Sequence, residues 1–119
     1  TWGAPRSGGR SHKGVDMIAA RGTPLVAIEA GTVKRMKNGG LGGITVTLKG
    51  ASGDEFYYAH LDGWAAGLSV GQNLAVGELL GYVGSTGNAQ YSVPHLHFEW
   101  APGGGSAVNP YPLVAGLCL

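Results

Sequence analysis

Cysteine, charge and long apolar runs are all scarce in this sequence. Its 119 residues include one cysteine, so no internal disulfide can form. Charged residues make up 13% of the chain and the formal net charge is +1, which removes the electrostatic basis for binding nucleic acid or an anionic membrane surface. No apolar run approaches the ~20 residues that a membrane-spanning helix needs. We therefore expect no membrane insertion by this domain.

The single thiol and the first residue of the chain say little about the cellular compartment. Cys118 lies beside the C-terminus, and we expect a buried or tolerated thiol rather than a reactive one. The chain starts at Thr1 without a visible signal peptide, which we interpret as a mature or excised domain. Its length predicts one domain, residues 1–119, with enough chain to bury a core. We expect this domain to be a monomer.

Glycine is the abundant residue, with 23 copies that separate short apolar and β-branched segments. Such spacing favours tight turns between short strands. Helical periodicity is absent apart from a hint of one helical turn at 62–67. The sequence therefore predicts an all-β, antiparallel fold with long loops at 62–72, 85–94 and 101–112. The expected strands are 15–18, 24–28, 32–36, 44–49, 55–60, 81–84 and 95–100.

All four histidines lie in segments that could build one site. They are His12, His60, His95 and His97. Histidine is the commonest protein metal ligand and moves protons near neutral pH. On a strand, residues i and i+2 leave the same face with α-carbons about 6.6 Å apart, so the last two histidines point together. Burying two imidazoles side by side without a partner is costly, and a metal ion satisfies them.

The rest of a metal shell comes from the N-terminal segment. A turn leading into the strand at 15–18 can bring His12 and Asp16 to one point. Two histidines and one carboxylate are a recognised catalytic zinc set that leaves a position for water. No His-Glu-x-x-His segment is present, which excludes a conventional zincin helix. This reasoning leaves open which of His95 and His97 binds the metal; the other, with His60, is then available for acid–base chemistry or oxyanion stabilisation.

Taken together, these segments resemble the lysostaphin- and LytM-type zinc metallopeptidases, which cut peptide bonds in the bacterial cell wall. The matching motifs are Ser-His-Lys-Gly-Val-Asp at 11–16, Tyr-Ala-His-Leu at 58–61, Gly-Ser-Thr-Gly at 84–87 and His-Leu-His-Phe-Glu at 95–99, with further matches at 3–6, 19–24 and 30–33. The resemblance covers nearly the whole chain. It implies a curved antiparallel sheet whose loops form a groove with the metal at its floor.

The same resemblance implies roles for five side chains. His12, Asp16 and His97 are expected to bind Zn²⁺, while His60 and His95 are expected to be the catalytic pair. The implied activity is endopeptidase cleavage of peptidoglycan cross-links, in the bacterial cell envelope or as a secreted enzyme. The longer stretch at 88–93 and the sequence upstream of the first histidine depart from the family pattern. They leave open whether stem-peptide cross-links or glycine bridges are cut.

Two other functions are compatible with parts of the sequence. A biotinyl- or lipoyl-type carrier domain would use Lys37, beside a glycine-rich turn, as its swinging arm, but it explains none of the histidines. A non-catalytic relative of the LytM type could serve as an activator or binding module, although such relatives typically lose metal ligands. A purely structural zinc site would need a closed shell of four ligands, usually with cysteine.

Overall fold

The computed structural model describes residues 15–87 and 93–104. Within these ranges the chain forms eight strands and a short 3₁₀ turn, with no α-helix. The strands are β1 (Val15–Ile18), β2 (Pro24–Val26), β3 (Gly31–Gly39), β4 (Gly43–Gly50), β5 (Glu55–Trp64), β6 (Asn73–Leu74), β7 (Leu79–Val83) and β8 (His95–Ala101), and the turn is Pro102–Gly104. No helix in the described part of the chain is long and apolar enough to cross a membrane. Residues 1–14, 88–92 and 105–119, which include His12 and Cys118, fall outside the described residues.

The predicted fold class is confirmed, with a few corrections to the elements. All strand pairs are antiparallel, in the order β1-β8-β5-β4-β3-β6, while β7 pairs with both β2 and β5. The expected helical turn at 62–67 was wrong, because β5 continues through Trp64. The Trp64 indole donates to the carbonyl of Thr45 at 3.0 Å, and this bond ties the end of β5 to β4. Strand β6 was not predicted, because its two residues are too few to show the alternation of apolar and polar side chains that marks a strand.

The hydrophobic core lies on one face of the sheet. Leu96 and Phe98 are fully buried and Trp100 packs against the core, as alternation along β8 predicted. From β5, Phe56 stacks on Phe98 with ring centroids 6.1 Å apart, and Tyr58 meets the same ring edge-on at 5.1 Å. Such aromatic pairs add to the free energy of burial. They hold β5 against β8, and these two strands carry most of the site on their other face.

The turn between β3 and β4 is packed tightly against the segment that follows β7. Gly43 has a φ of +68°, and a Cβ there would collide with the backbone of Thr86 and Gly87. Gly87 has a φ of +71°, and a Cβ there would collide with the carbonyl of Leu41 and the amide of Gly43. Only glycine combines this backbone conformation with this approach. The contact places residues 84–87 beside the bend in β5 that carries His60.

Candidate active site

Strand β8 presents three polar side chains on the face opposite the core. His95, His97 and Glu99 alternate with the buried Leu96 and Phe98. Because residues two apart share a face, all three emerge on the same side of the sheet. The prediction that His95 and His97 point to the same face is confirmed.

Strand pairing brings β1 and β5 to the same point. Asp16 on β1 lies directly opposite His97, and Ala59 on β5 lies opposite His97 from the other side. Directly opposed residues in an antiparallel pair share a face. The predicted strand at 15–18 is therefore confirmed, and it brings the carboxylate of Asp16 to the imidazole of His97.

Both ring nitrogens of His97 contact carboxylates. Nδ1 lies 2.7 Å from Oδ1 of Asp16, and Nε2 lies 2.8 Å from Oε2 of Glu99. Burial alone lowers the pKa of His97, but the hydrogen bonds to Asp16 and Glu99 outweigh it and raise the pKa to about 9. Without metal at neutral pH, this ring is an imidazolium that donates to both carboxylates. The same negative environment is suited to a cation.

A bulge in β5 turns His60 toward the site. Tyr58 pairs with Val46 and Leu61 pairs with Ile44, so Ala59 and His60 together face the single residue between them on β4. His60 has a φ of +65°, the one positive value among the described non-glycine residues. Bulges re-aim side chains, and strained backbone of this kind concentrates at functional sites. Simple alternation would have put His60 on the core face with Tyr58.

The bulged histidine is held by the 84–87 segment. Nδ1–H of His60 donates to the carbonyl of Thr86 at 2.8 Å, and the backbone N–H of His60 donates to Gly42 at 2.9 Å. The Thr86 hydroxyl donates to Leu61 at 2.7 Å and accepts from the N–H of Ile44 at 3.0 Å. Burial lowers the pKa of His60, and the Thr86 carbonyl and the Asp16 charge only partly offset it. The neutral ring therefore has its Nε2 lone pair available.

His95 is oriented in the same way as His60. Its Nδ1–H donates to the carbonyl of Val93 at 3.0 Å, so Nε2 is the ring nitrogen that faces away from this bond. The centroid of the His60 ring lies 5.1 Å from that of His95 and 6.1 Å from that of His97. Three imidazoles and the carboxylates of Asp16 and Glu99 thus meet on one face of the sheet.

The donors present are compatible with a zinc ion. Nitrogen and carboxylate oxygen are ordinary zinc ligands, and two ligands of a tetrahedral zinc lie about 3.4 Å apart. Nδ1 of His97 and Oδ1 of Asp16 are 2.7 Å apart. These two atoms would need to move apart by less than about 1 Å to bind the same ion. Among residues 15–87 and 93–104, no three His, Cys, Asp or Glu side chains form a complete metal-binding group. The third predicted ligand, His12, lies outside the described residues.

Two functional candidates were missed by the sequence reasoning. Glu99 was seen only as part of a motif, although the period of two that groups His95 with His97 also places Glu99 on their face. Thr86 was likewise seen only within the Gly-Ser-Thr-Gly motif, because its contacts are with residues more than 20 positions away and leave no local pattern.

Comparison with known proteins shows the family to which the chain is related. Residues 10–110 match the sequence profile of peptidase family M23. The chain is 33% identical over 122 residues to the L-Ala--D-Glu endopeptidase of Bacillus subtilis (strain 168), covering 94% of this chain and 37% of that protein. It is 39% identical over 102 residues to the DD-carboxypeptidase/endopeptidase Mpg of Neisseria meningitidis serogroup B, covering 85% and 22%. The chain thus spans well under half the length of these relatives.

Solved structures share the fold. The catalytic domain of the antimicrobial peptidase lysostaphin from Staphylococcus simulans superposes with a TM-score of 0.80 at 31% identity, covering 97% of this chain and 89% of that one. A zinc containing peptidase from Vibrio cholerae gives a TM-score of 0.78 at 25% identity, covering 91% of this chain and 33% of that one.

Proposed function

The chain belongs to peptidase family M23, and from this premise we propose that it is a zinc-dependent endopeptidase that hydrolyses peptide cross-links of bacterial peptidoglycan. Zn²⁺ would be held by His12, Asp16 and His97, with His60 and His95 as the catalytic pair. The names of the relatives support the substrate class, since one is an L-Ala--D-Glu endopeptidase and another a DD-carboxypeptidase/endopeptidase. The zinc containing neighbour supports the metal.

One observation carries the proposal most directly: two kinds of histidine meet on one face of the sheet. His97 is paired with the carboxylate of Asp16 at 2.7 Å, as a metal ligand with an anionic co-ligand would be. His60 and His95 instead donate Nδ1–H to backbone carbonyls, which keeps both Nε2 atoms open. Histidines that only stabilise the fold would not need both a carboxylate-paired ring and carbonyl-bound rings on one face.

The chain's own residues account for binding and proton transfer. When bound, zinc supplies Lewis-acid polarisation of a peptide carbonyl and lowers the pKa of water. The Nε2 lone pair of His60 or His95 accepts a proton from the attacking water, and the protonated ring returns it to the amine that leaves. The lowered pKa of His60 keeps that ring neutral at neutral pH, as the accepting step requires.

The proposal extends to the setting of the domain. Peptidoglycan lies outside the cytoplasmic membrane, so we propose that the domain acts in the bacterial cell envelope or as a secreted enzyme. We propose that residues 1–119 form a single catalytic domain that works as a monomer. The carrier alternative lacks support, since Lys37 is paired with Thr45 inside the β3–β4 ladder rather than placed at the hairpin tip.

Digestion of purified cell wall tests the proposal. The zinc-loaded domain is expected to clear the wall and to release new amino termini, with no change in reducing sugars, and chelator is expected to stop the reaction. Mass spectrometry of the products identifies the bond, whether in a stem peptide or a glycine bridge. The His60→Ala domain is the matched control, because it keeps all three proposed ligands. A zinc-loaded domain that binds wall and releases no amines contradicts the proposal and indicates the non-catalytic module.

A further inference from the structure

The imidazole of His97 lies between two carboxylates. Each ring nitrogen faces its own carboxylate: Asp16 on β1 at Nδ1, and Glu99 on the same strand at Nε2. A metal ion takes a single nitrogen of one imidazole. One carboxylate is therefore a co-ligand and the other a hydrogen-bond acceptor.

The geometry points to Glu99 as the positioning residue for the metal-binding imidazole: its carboxylate accepts Nε2–H of His97 and so directs the Nδ1 lone pair toward Asp16. This inference rests on the proposed zinc site. In a neutral imidazole only one nitrogen bears hydrogen, so a carboxylate that holds Nε2–H fixes the tautomer with a free lone pair on Nδ1. Partners of this kind also orient the ring and make the ligand nitrogen more basic.

The surroundings keep Glu99 in this role. The side chain of Glu99 is 31% exposed and that of His97 is 16% exposed, so their bond lies in a partly desolvated place. Tyr57 lies opposite Glu99 on β5 and meets the His97 ring edge-on, with centroids 6.4 Å apart. Burial and the charge of Glu99 raise the pKa of Tyr57, so the phenol stays neutral. His97 is therefore confined between Tyr57, Asp16 and Glu99.

Zinc affinity, measured by chelator competition, tests this assignment without using activity. Glu99→Ala is expected to weaken zinc binding by about 10–100-fold, the usual cost of losing such a partner. Glu99→Gln keeps an acceptor oxygen and is expected to recover much of that loss. Glu55→Gln is the matched control. It removes a carboxylate on the same face of the sheet, but that carboxylate pairs with Lys34 rather than with a histidine. Its zinc affinity is expected to equal that of the unaltered domain.

A spectroscopic readout separates positioning from simple stabilisation. Long-range nitrogen–proton NMR of the zinc-loaded domain is expected to show His97 ligated at Nδ1 and protonated at Nε2, with Nε2–H shifted downfield by its carboxylate partner. That shift is expected to move back in Glu99→Ala.

Three outcomes decide the matter. If Glu99→Ala binds zinc as tightly as the unaltered domain, only the Glu99 assignment is overturned. If zinc is found on Nε2 of His97, there is no Nε2–H for Glu99 to accept and the assignment is also wrong. If the unaltered domain takes up no zinc, the proposed function and this inference fall together.

Discussion

The two halves of the site place histidine side chains in opposite environments. In one half, both nitrogens of His97 face carboxylates and its pKa is raised to about 9. In the other, His60 and His95 donate to backbone carbonyls, and burial lowers the pKa of His60. Negative charge around a ring favours a cation, whereas burial keeps the His60 ring neutral and able to accept a proton. The environment, rather than the residue type, separates the proposed metal half from the proposed proton-transfer half.

The largest effect is expected from removing the metal half. Asp16→Ala and His97→Ala should lose zinc and wall hydrolysis together, because two remaining protein ligands hold the ion too weakly. His12→Ala should behave in the same way. Elemental analysis beside turbidity clearance measures both quantities. Asp62→Ala, which removes an exposed carboxylate paired with Arg21, is the control and should keep both. Full zinc content in Asp16→Ala and His97→Ala would remove the proposed ligand set.

A smaller loss is expected in the proton-transfer half. His60→Ala and His95→Ala should each retain zinc and lose turnover by roughly 10²–10⁴-fold, the usual range for acid–base groups. The same pairing of metal content with wall clearance gives the answer. If His95→Ala strips the zinc while His97→Ala retains it, the two halves are reversed. If neither variant changes the rate, the peptidase proposal is wrong.

The contrast in pKa predicts how zinc affinity depends on pH. Metal-free His97 has a pKa of about 9, so zinc must displace its proton at neutral pH, and affinity should rise about tenfold from pH 7 to pH 8. Calorimetry in buffers of different ionisation enthalpy should count about one released proton. His95→Ala should show the same slope, because His95 is not a proposed ligand. A pH-independent affinity contradicts the assignment of His97.

The sign for stability follows from the same shift. A histidine whose pKa is raised on folding stabilises the metal-free domain fully below the ordinary value of 6.5 and loses that contribution as pH rises through about 9. Urea unfolding of metal-free protein should therefore show a weaker domain at alkaline pH, and His97→Ala should reduce this dependence.

The smallest effect is expected from changing Thr86, which supports the bulge in β5, rather than His60 itself. Thr86→Val keeps the side-chain shape but leaves the N–H of Ile44 and the carbonyl of Leu61 without the hydroxyl. We expect a loss of about 1–3 kcal/mol in the free energy of unfolding, with zinc content unchanged. Thr86→Ser retains the hydroxyl and should be nearly neutral. Equal stability of the Val and Ser variants would show that the hydroxyl does not hold the bulge.

The sequence alone determined the fold class and half of the site. Strand character and spacing predicted an antiparallel all-β domain, because a period of two survives in short segments. The same period placed His95 and His97 on one face and the apolar residues Leu96 and Phe98 on the other, as the structure has them. These are local properties of one strand, so no knowledge of its neighbours was needed.

Only the tertiary structure decided which groups surround His60, His95 and His97. Alternation along β5 gives His60 the wrong face, and the bulge that corrects it depends on pairing with β4 and on Thr86. The register of β1 against β8 brings Asp16 to Nδ1 of His97 across 81 positions of sequence. Such contacts follow from the packing of distant strands, and the direction of each pKa shift follows from those contacts. The sequence by itself therefore determined which side chains are available, and the tertiary structure decided what chemistry each can perform.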